Sequence, residues 1–292
     1  MGAESLSPTP YSASKSLAFP SLTYKGAELS RANLEGATLY AARLELATLG
    51  HASLEGTNLS EAHLERAALN GASMQGADLR GAWLDSKIDL SEATFDEKTR
   101  LGDIQWGGVG GVNLTRINWE RVRRLGDEQG VGLGADVDEH EAVVRAYRQL
   151  AAHLRAQGMT EVADRFAYRA QVRQRRVYLR RFRIPQYLGS WFLDLISGYG
   201  YRPMRSFITY VLVILGFAAG YFALGGANGQ SLSWNEAIVI IISMTAFHGR
   251  GFFTTGVSLG DTLARLAAGE AIIGLLIEIT FIATFTQRFF AR

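Results

Sequence analysis

The chain has 292 residues, a formal net charge of +2 and no cysteine, which excludes a disulfide framework and any thiolate metal centre. Charged residues make up 20% and apolar ones 48%, but these figures average a polar first half with an apolar second half. They do not describe one domain.

Residues 1–23 read as a disordered tail. They are rich in Ser, Pro and Ala and lack the basic start and apolar centre of a signal peptide. Ser12 and Lys15 fall at a serine-hydrolase spacing by chance.

From Leu29 onward an apolar residue recurs at every fifth position, through Leu34, Leu39, Leu44, Leu49, Leu54 and on to Leu84, with Met74 once in place of Leu. Two residues before each stands Ala, Thr57 being the exception. Period five fits neither the 3.6 of a helix nor the 2 of a strand. The pattern slips by one at Leu90 and Phe95, breaks over 99–111, and returns at Val112, Leu114, Ile117 and Trp119. These units resemble the pentapeptide-repeat family. The resemblance implies a right-handed quadrilateral β-helix over 24–120, with the small residue and the Leu pointing inward and the other three positions facing solvent. Repeat rods of this kind bury a core by stacking, and nothing in them is catalytic by default. A DNA-mimicking role, known in some members, would want a strongly acidic face; this rod mixes signs. No nucleic-acid partner is expected, and the rod is expected to present a surface, with a cytoplasmic partner of unknown identity as one use for it.

Residues 121–183 are expected to be a helical hairpin linker. Val144, Tyr147, Leu150 and Leu154 follow helical spacing, Gly158 supplies a stop, Thr160 an N-cap, and Val162, Phe166 and Ala170 a second helix. One hairpin cannot bury its face alone, so it is expected to pack on the rod, the membrane part or a neighbouring subunit. At its end, Arg175, Arg176, Arg180, Arg181 and Arg183 form a basic cluster. It reads as an inside-facing topology signal and as a site for anionic lipid.

Residues 184–292 are read as a membrane domain. The stretch 184–201 is an aromatic amphipathic segment suited to the headgroup level, and its GYGY end is a turn, not an ion filter. The run 207–224 is uncharged and long enough to cross a hydrocarbon core of roughly 30 Å; 266–286 is as long but carries Glu270 and Glu278. Between them, 234–246 is too short to cross, and a glycine hairpin follows it. Lipid-embedded backbone can be non-helical only where it is buried in protein or lines water. The arrangement resembles a two-span pore-loop channel of the potassium-channel type, with Thr245, Ala246, Phe247, His248, Gly249, Arg250 and Gly251 as its selectivity filter. His248 in that resemblance is an inserted residue and Arg250 replaces Tyr, which argues against K⁺ selectivity. Arg250 is open to two readings: a ring of charges on the axis that admits anions, or a clamp to Asp261 or Glu270. Gly274 reads as the hinge and Glu278, one turn on, as a cavity carboxylate.

The expected molecule is therefore multidomain: β-helix, α-helical hairpin and α-helical pore-loop domain. It would be a homotetramer in the plasma membrane with both termini cytoplasmic, in contact with membrane lipids and passing monovalent inorganic cations. An anion channel and a membrane-anchored scaffold with a non-conducting pore stand as alternatives. No enzyme activity, cofactor or metal is expected: His140 between Glu139 and Glu141 lacks a second ligand pair, and the glycines at 107–111 lead into no P-loop. Deleting 1–121 is expected to leave an inserted oligomer.

Overall fold

The computed structural model describes residues 23–107, 111–132, 134–201, 203–227, 234–235 and 262–290. The chain forms two compact units, residues 1–187 and 188–292.

In the first unit each five-residue step makes one side of a square coil. Thr23 bridges Arg43, Arg43 bridges His63, and His63 bridges Trp83, all in parallel, so one turn takes twenty residues. Each corner is a tight turn: the Ala27 N–H donates to the Tyr24 carbonyl (2.9 Å), and the equivalent bond recurs from Ala32 to Leu29 and from Ala37 to Leu34. The third residue of such a turn must take φ > 0. Glycine does so at Gly36 and Gly56, but Arg31, Ala41, Leu46, His51 and Glu61 are held there too, against a preference of about 1 kcal/mol each. Coil-to-coil hydrogen bonds offset that strain. Inside, Leu44, Leu49, Leu54, Leu59, Leu64 and Leu69 are wholly buried. Thr57, the one departure from Ala, is buried as well, and its hydroxyl donates to the Leu34 carbonyl (2.7 Å), so the lumen holds no unsatisfied group there.

The interval 99–111, read from sequence as a break, is mostly regular coil. Ala68 pairs with Asp89 at a separation of 21, and Asp78 with Arg100 at 22. Single extra residues are absorbed at successive corners, while Thr99, Leu101, Ile104 and Trp106 all point inward. A corner can lengthen without moving the inward positions, which a fixed period cannot register. Val112, Leu114, Ile117 and Trp119 close the lumen as expected, Trp119 lying in the short 3₁₀ turn Trp119–Arg121.

Two helices follow: α1 (Val137–Ala156) and α2 (Thr160–Arg180). Asp136 caps α1 through its side chain. Thr160 is not the cap of α2 but its first residue; Met159 occupies the cap position and offers no side-chain bond. Gly158, at φ +81°, makes the reversal. The hairpin is not a free linker, because Tyr147, Leu150, Leu154 and Phe166 belong to the same apolar core as the rod. Trp119 stacks on Phe95 and takes Phe166 edge-on, both at 5.9 Å.

The second unit begins inside α3 (Ile184–Ser197) and continues through α4 (Pro203–Ala227) to α5 (Thr262–Phe290). Residues 198–201 form the expected turn. Arg205 secures it by donating to the Asp194 carbonyl (3.1 Å) and carboxylate (3.2 Å). Pro203 opens α4, where a missing N–H costs nothing. The stretches 207–224 and 266–286 fall within α4 and α5, which pack against each other. Among the described residues no helix is long and apolar enough to cross a membrane.

Candidate functional site

Two places in the molecule gather polar groups against burial. The first is where the hairpin closes the rod. Glu128, in the 3₁₀ turn Gly126–Glu128, has a side chain only 3% exposed, and Arg173 of α2 donates to its carboxylate at 2.5 Å with Arg169 at 3.8 Å. A carboxylate that deep would be strongly unfavourable alone; the arginines are what permit it. Beside it the Tyr147 hydroxyl accepts the Leu125 N–H (3.0 Å). Burial first, and the Glu128 charge second, push that hydroxyl far above the usual tyrosine range, so it stays neutral. Asp127 accepts the N–H groups of Leu101 (2.8 Å) and Gly102 (3.1 Å); burial nonetheless pushes its carboxyl up. On the other side Gln157 grips the single extended segment 112–114 with both ends of its amide, accepting from Leu114 N–H (2.8 Å) and donating to the Val112 carbonyl. Arg165 donates to the Trp119 carbonyl (2.6 Å). The contacts of Glu128 with Arg173 and of Gln157 with Val112 and Leu114 join residues more than 40 apart in sequence, so no local pattern announced them. Trp119 and Phe166 were legible as apolar positions. The arrangement is a clamp, and among the described residues no group of three or more His, Asp and Glu could hold a metal ion.

The second place is the helix pair α4/α5. Ala218 and Ile277 are buried in this unit, as is Glu270 (5% exposed). Gly274 and Glu278 lie four residues apart on α5 and so share a helix face; Glu278 is half-buried. A Cβ built on Gly274 meets nothing within 4 Å. The Thr280 hydroxyl donates back to the Leu276 carbonyl (2.7 Å). Around this interior the pair is apolar outward: Leu212 is 62% and Ile272 63% exposed, with Phe207, Ile208, Ile279 and Ile282 more than half exposed as well. The expected filter, Thr245, Ala246, Phe247, His248, Gly249, Arg250 and Gly251, lies outside the described residues, as does Asp261.

The basic cluster divides by environment. Arg175 is half-buried on α2, whereas Arg176, Arg180, Arg181 and Arg183 are exposed at the helix end and just beyond it. Arg181 reaches back to Glu141 of α1 (2.6 Å).

Residues 47–84 match the model of the pentapeptide-repeat family, with eight copies of the repeat. Among solved structures the chain is similar to three cyanobacterial pentapeptide repeat proteins. Rfr23 from Cyanothece 51142 is 31% identical over 26% of this chain and 55% of its own, with a TM-score of 0.17. HetL from Nostoc sp. PCC 7120, which is involved in heterocyst differentiation regulation, is 26% identical over 35% and 53%, with a TM-score of 0.16. A further protein from Nostoc PCC 7120 is 30% identical over 28% of this chain and 83% of its own, also at 0.16. The chain thus spans about half the length of the first two. No curated protein matches the chain. The repeats matched within 47–84 and the square coil they build decide the assignment: the chain belongs to the pentapeptide-repeat family.

Proposed function

We propose that the chain is the subunit of a homotetrameric two-span pore-loop ion channel, passing monovalent cations through a non-standard filter at 245–251, with its pentapeptide rod on the cytoplasmic side of the plasma membrane. The observation that carries this reading is the outward face of α4/α5. Helices of 25 and 29 residues that pack on each other yet leave Leu212, Ile272 and Ile282 facing out carry exposed apolar side chains of the kind that mark a membrane or partner surface. At about 25 cal/mol per Å² that surface drives the pair into lipid or into further copies. Four copies in lipid use both outlets, because one pore loop builds only one wall.

The sign of the ion rests on Glu278. An intramembrane carboxylate sharing a face with an uncrowded Gly274 suits a water-filled cavity at a subunit junction, where four such groups concentrate cations. The test is the reversal potential of the reconstituted protein in asymmetric KCl. The wild type is expected on the cation side of zero, with Glu278→Gln lowering conductance. A potential at the Cl⁻ equilibrium value that moves toward cations on Arg250→Gln would establish the anion reading instead. Absence of any current from correctly inserted tetramers would leave the scaffold reading.

A further inference from the structure

Between Asp164 and Asp194 the chain carries eight arginines and no acidic residue. Arg165, Arg173 and Arg181 are used internally, on the Trp119 carbonyl, Glu128 and Glu141. Arg176, Arg180 and Arg183 are exposed and surround the point where α2 stops. There Phe182 takes a left-handed conformation, φ +52°, which bends the chain out of α2 and leaves the ring 86% exposed, the most exposed large apolar side chain described. Leu179 and Ile184 on either side of it are nearly half exposed. A non-glycine residue in that conformation is held against a steric preference, and here its result is to present an aromatic ring to the surroundings inside a collar of cations.

We propose that this elbow, residues 176–184, is a docking site for the anionic phospholipid surface. Phe182, Leu179 and Ile184 enter the boundary between headgroups and acyl chains, and Arg176, Arg180 and Arg183 engage lipid phosphates. The proposal rests on the membrane reading above and adds to it the lipid class and the residues that select it. Charge complementarity favours lipid over a protein partner. A collar of cations with no acidic residue in the segment matches a surface of one sign, and a ring standing clear of the fold matches a soft apolar layer rather than a pocket of fixed shape. Each basic side chain near such a surface strengthens binding about five-fold, so the three together contribute on the order of a hundred-fold.

Because the chain has no native cysteine, Phe182→Cys in the full-length protein can carry a single polarity-sensitive fluorophore, and Leu212→Cys can carry the same probe on α4. Both are read in nanodiscs of phosphatidylcholine alone and with increasing phosphatidylglycerol. The expected result is a blue shift at position 182 that grows with the anionic fraction. It should be reversed by the triple change Arg176→Gln, Arg180→Gln, Arg183→Gln, while position 212 is shifted in every lipid. A shift at 212 with none at 182 overturns the elbow proposal and leaves the membrane reading standing. An equal shift at 182 in neutral and anionic discs overturns the selection by charge. A shift at 182 produced by inorganic phosphate alone overturns the lipid as occupant. No shift at either position overturns both readings. Melting of the triple variant at the wild-type temperature shows that a lost shift is not lost folding.

Discussion

The two units use the same side chains in opposite ways. In the rod, leucine points inward and is sealed to zero exposure at Leu44, Leu54 and Leu64; in the α4/α5 pair, Leu212, Leu215 and Leu276 stand open. Both are judged by one rule, that apolar surface leaves water: the rod satisfies it within a single chain, and the helix pair leaves it unsatisfied at these positions. Apolar content therefore says little about stability until one knows which way the side chains face. Burial in the rod is also repetitive: each coil covers only its neighbours, so the ends carry the risk. At the C-terminal end that risk is met by the hairpin, whose Tyr147 and Phe166 complete the core.

The sharpest way to break this contrast is to place the same charge in both units. Leu54→Lys buries an ammonium with no partner at a cost of several kcal/mol, so the rod should lose cooperative melting, whereas Leu212→Lys should leave the rod's melting unchanged. An unaltered curve for Leu54→Lys would mean that the inward stripe has been misassigned. Next in size is a pair of glycines. A Cβ at Gly126 would lie 1.8 Å from the backbone oxygen of Lys98, whereas one at Gly274 meets nothing. Gly126→Ala should destabilise the first unit by about 1–3 kcal/mol or more, measured by denaturant unfolding, and Gly274→Ala should leave that unfolding unchanged. Equal effects on unfolding would show that Gly126 relaxes freely.

The smallest effect expected is on pH dependence. At Asp78 burial alone would push the carboxyl up, but hydrogen bonds and charge from Arg80, with Arg100 adding charge, outweigh it and hold the carboxyl below its ordinary value. The folded state therefore favours the ionised form. This stabilisation is present above the unfolded value of about 3.9 and is lost as pH falls through the lower folded one. The rod should melt at a lower temperature near pH 3 than near pH 5, and Asp78→Asn should reduce that difference. A variant with the full wild-type difference would assign the acid sensitivity to other carboxylates.

A deletion also separates sequence from fold. Cutting after Arg121 follows the repeat pattern but divides the shared core of Trp119, Tyr147 and Phe166. Residues 1–187 form one compact unit, so a fragment ending at 187 should melt cooperatively, and one ending at 121 should not. Similar melting of the two would show that the hairpin adds no stability.

The order of residues by itself determined a stripe of period five, which no helix or strand has, with Ala two places before it everywhere but at Thr57; the square coil was what its resemblance to pentapeptide repeats implied. It also determined the hairpin's apolar faces, the reversal at Gly158 and the turn at 198–201, all set by residues within a few positions of one another. Only the tertiary structure decided that 99–107 stays in the coil, since a corner's capacity for an extra residue depends on the coils above and below it. The structure likewise decided that Glu128 is buried against Arg173, that Gln157 ties the end of α1 to the segment 112–114, and that Arg181 turns back to Glu141 while Arg183 is exposed. Each of those choices is made by groups 40 or more residues apart, and local spacing carries no information about which distant charge will meet which.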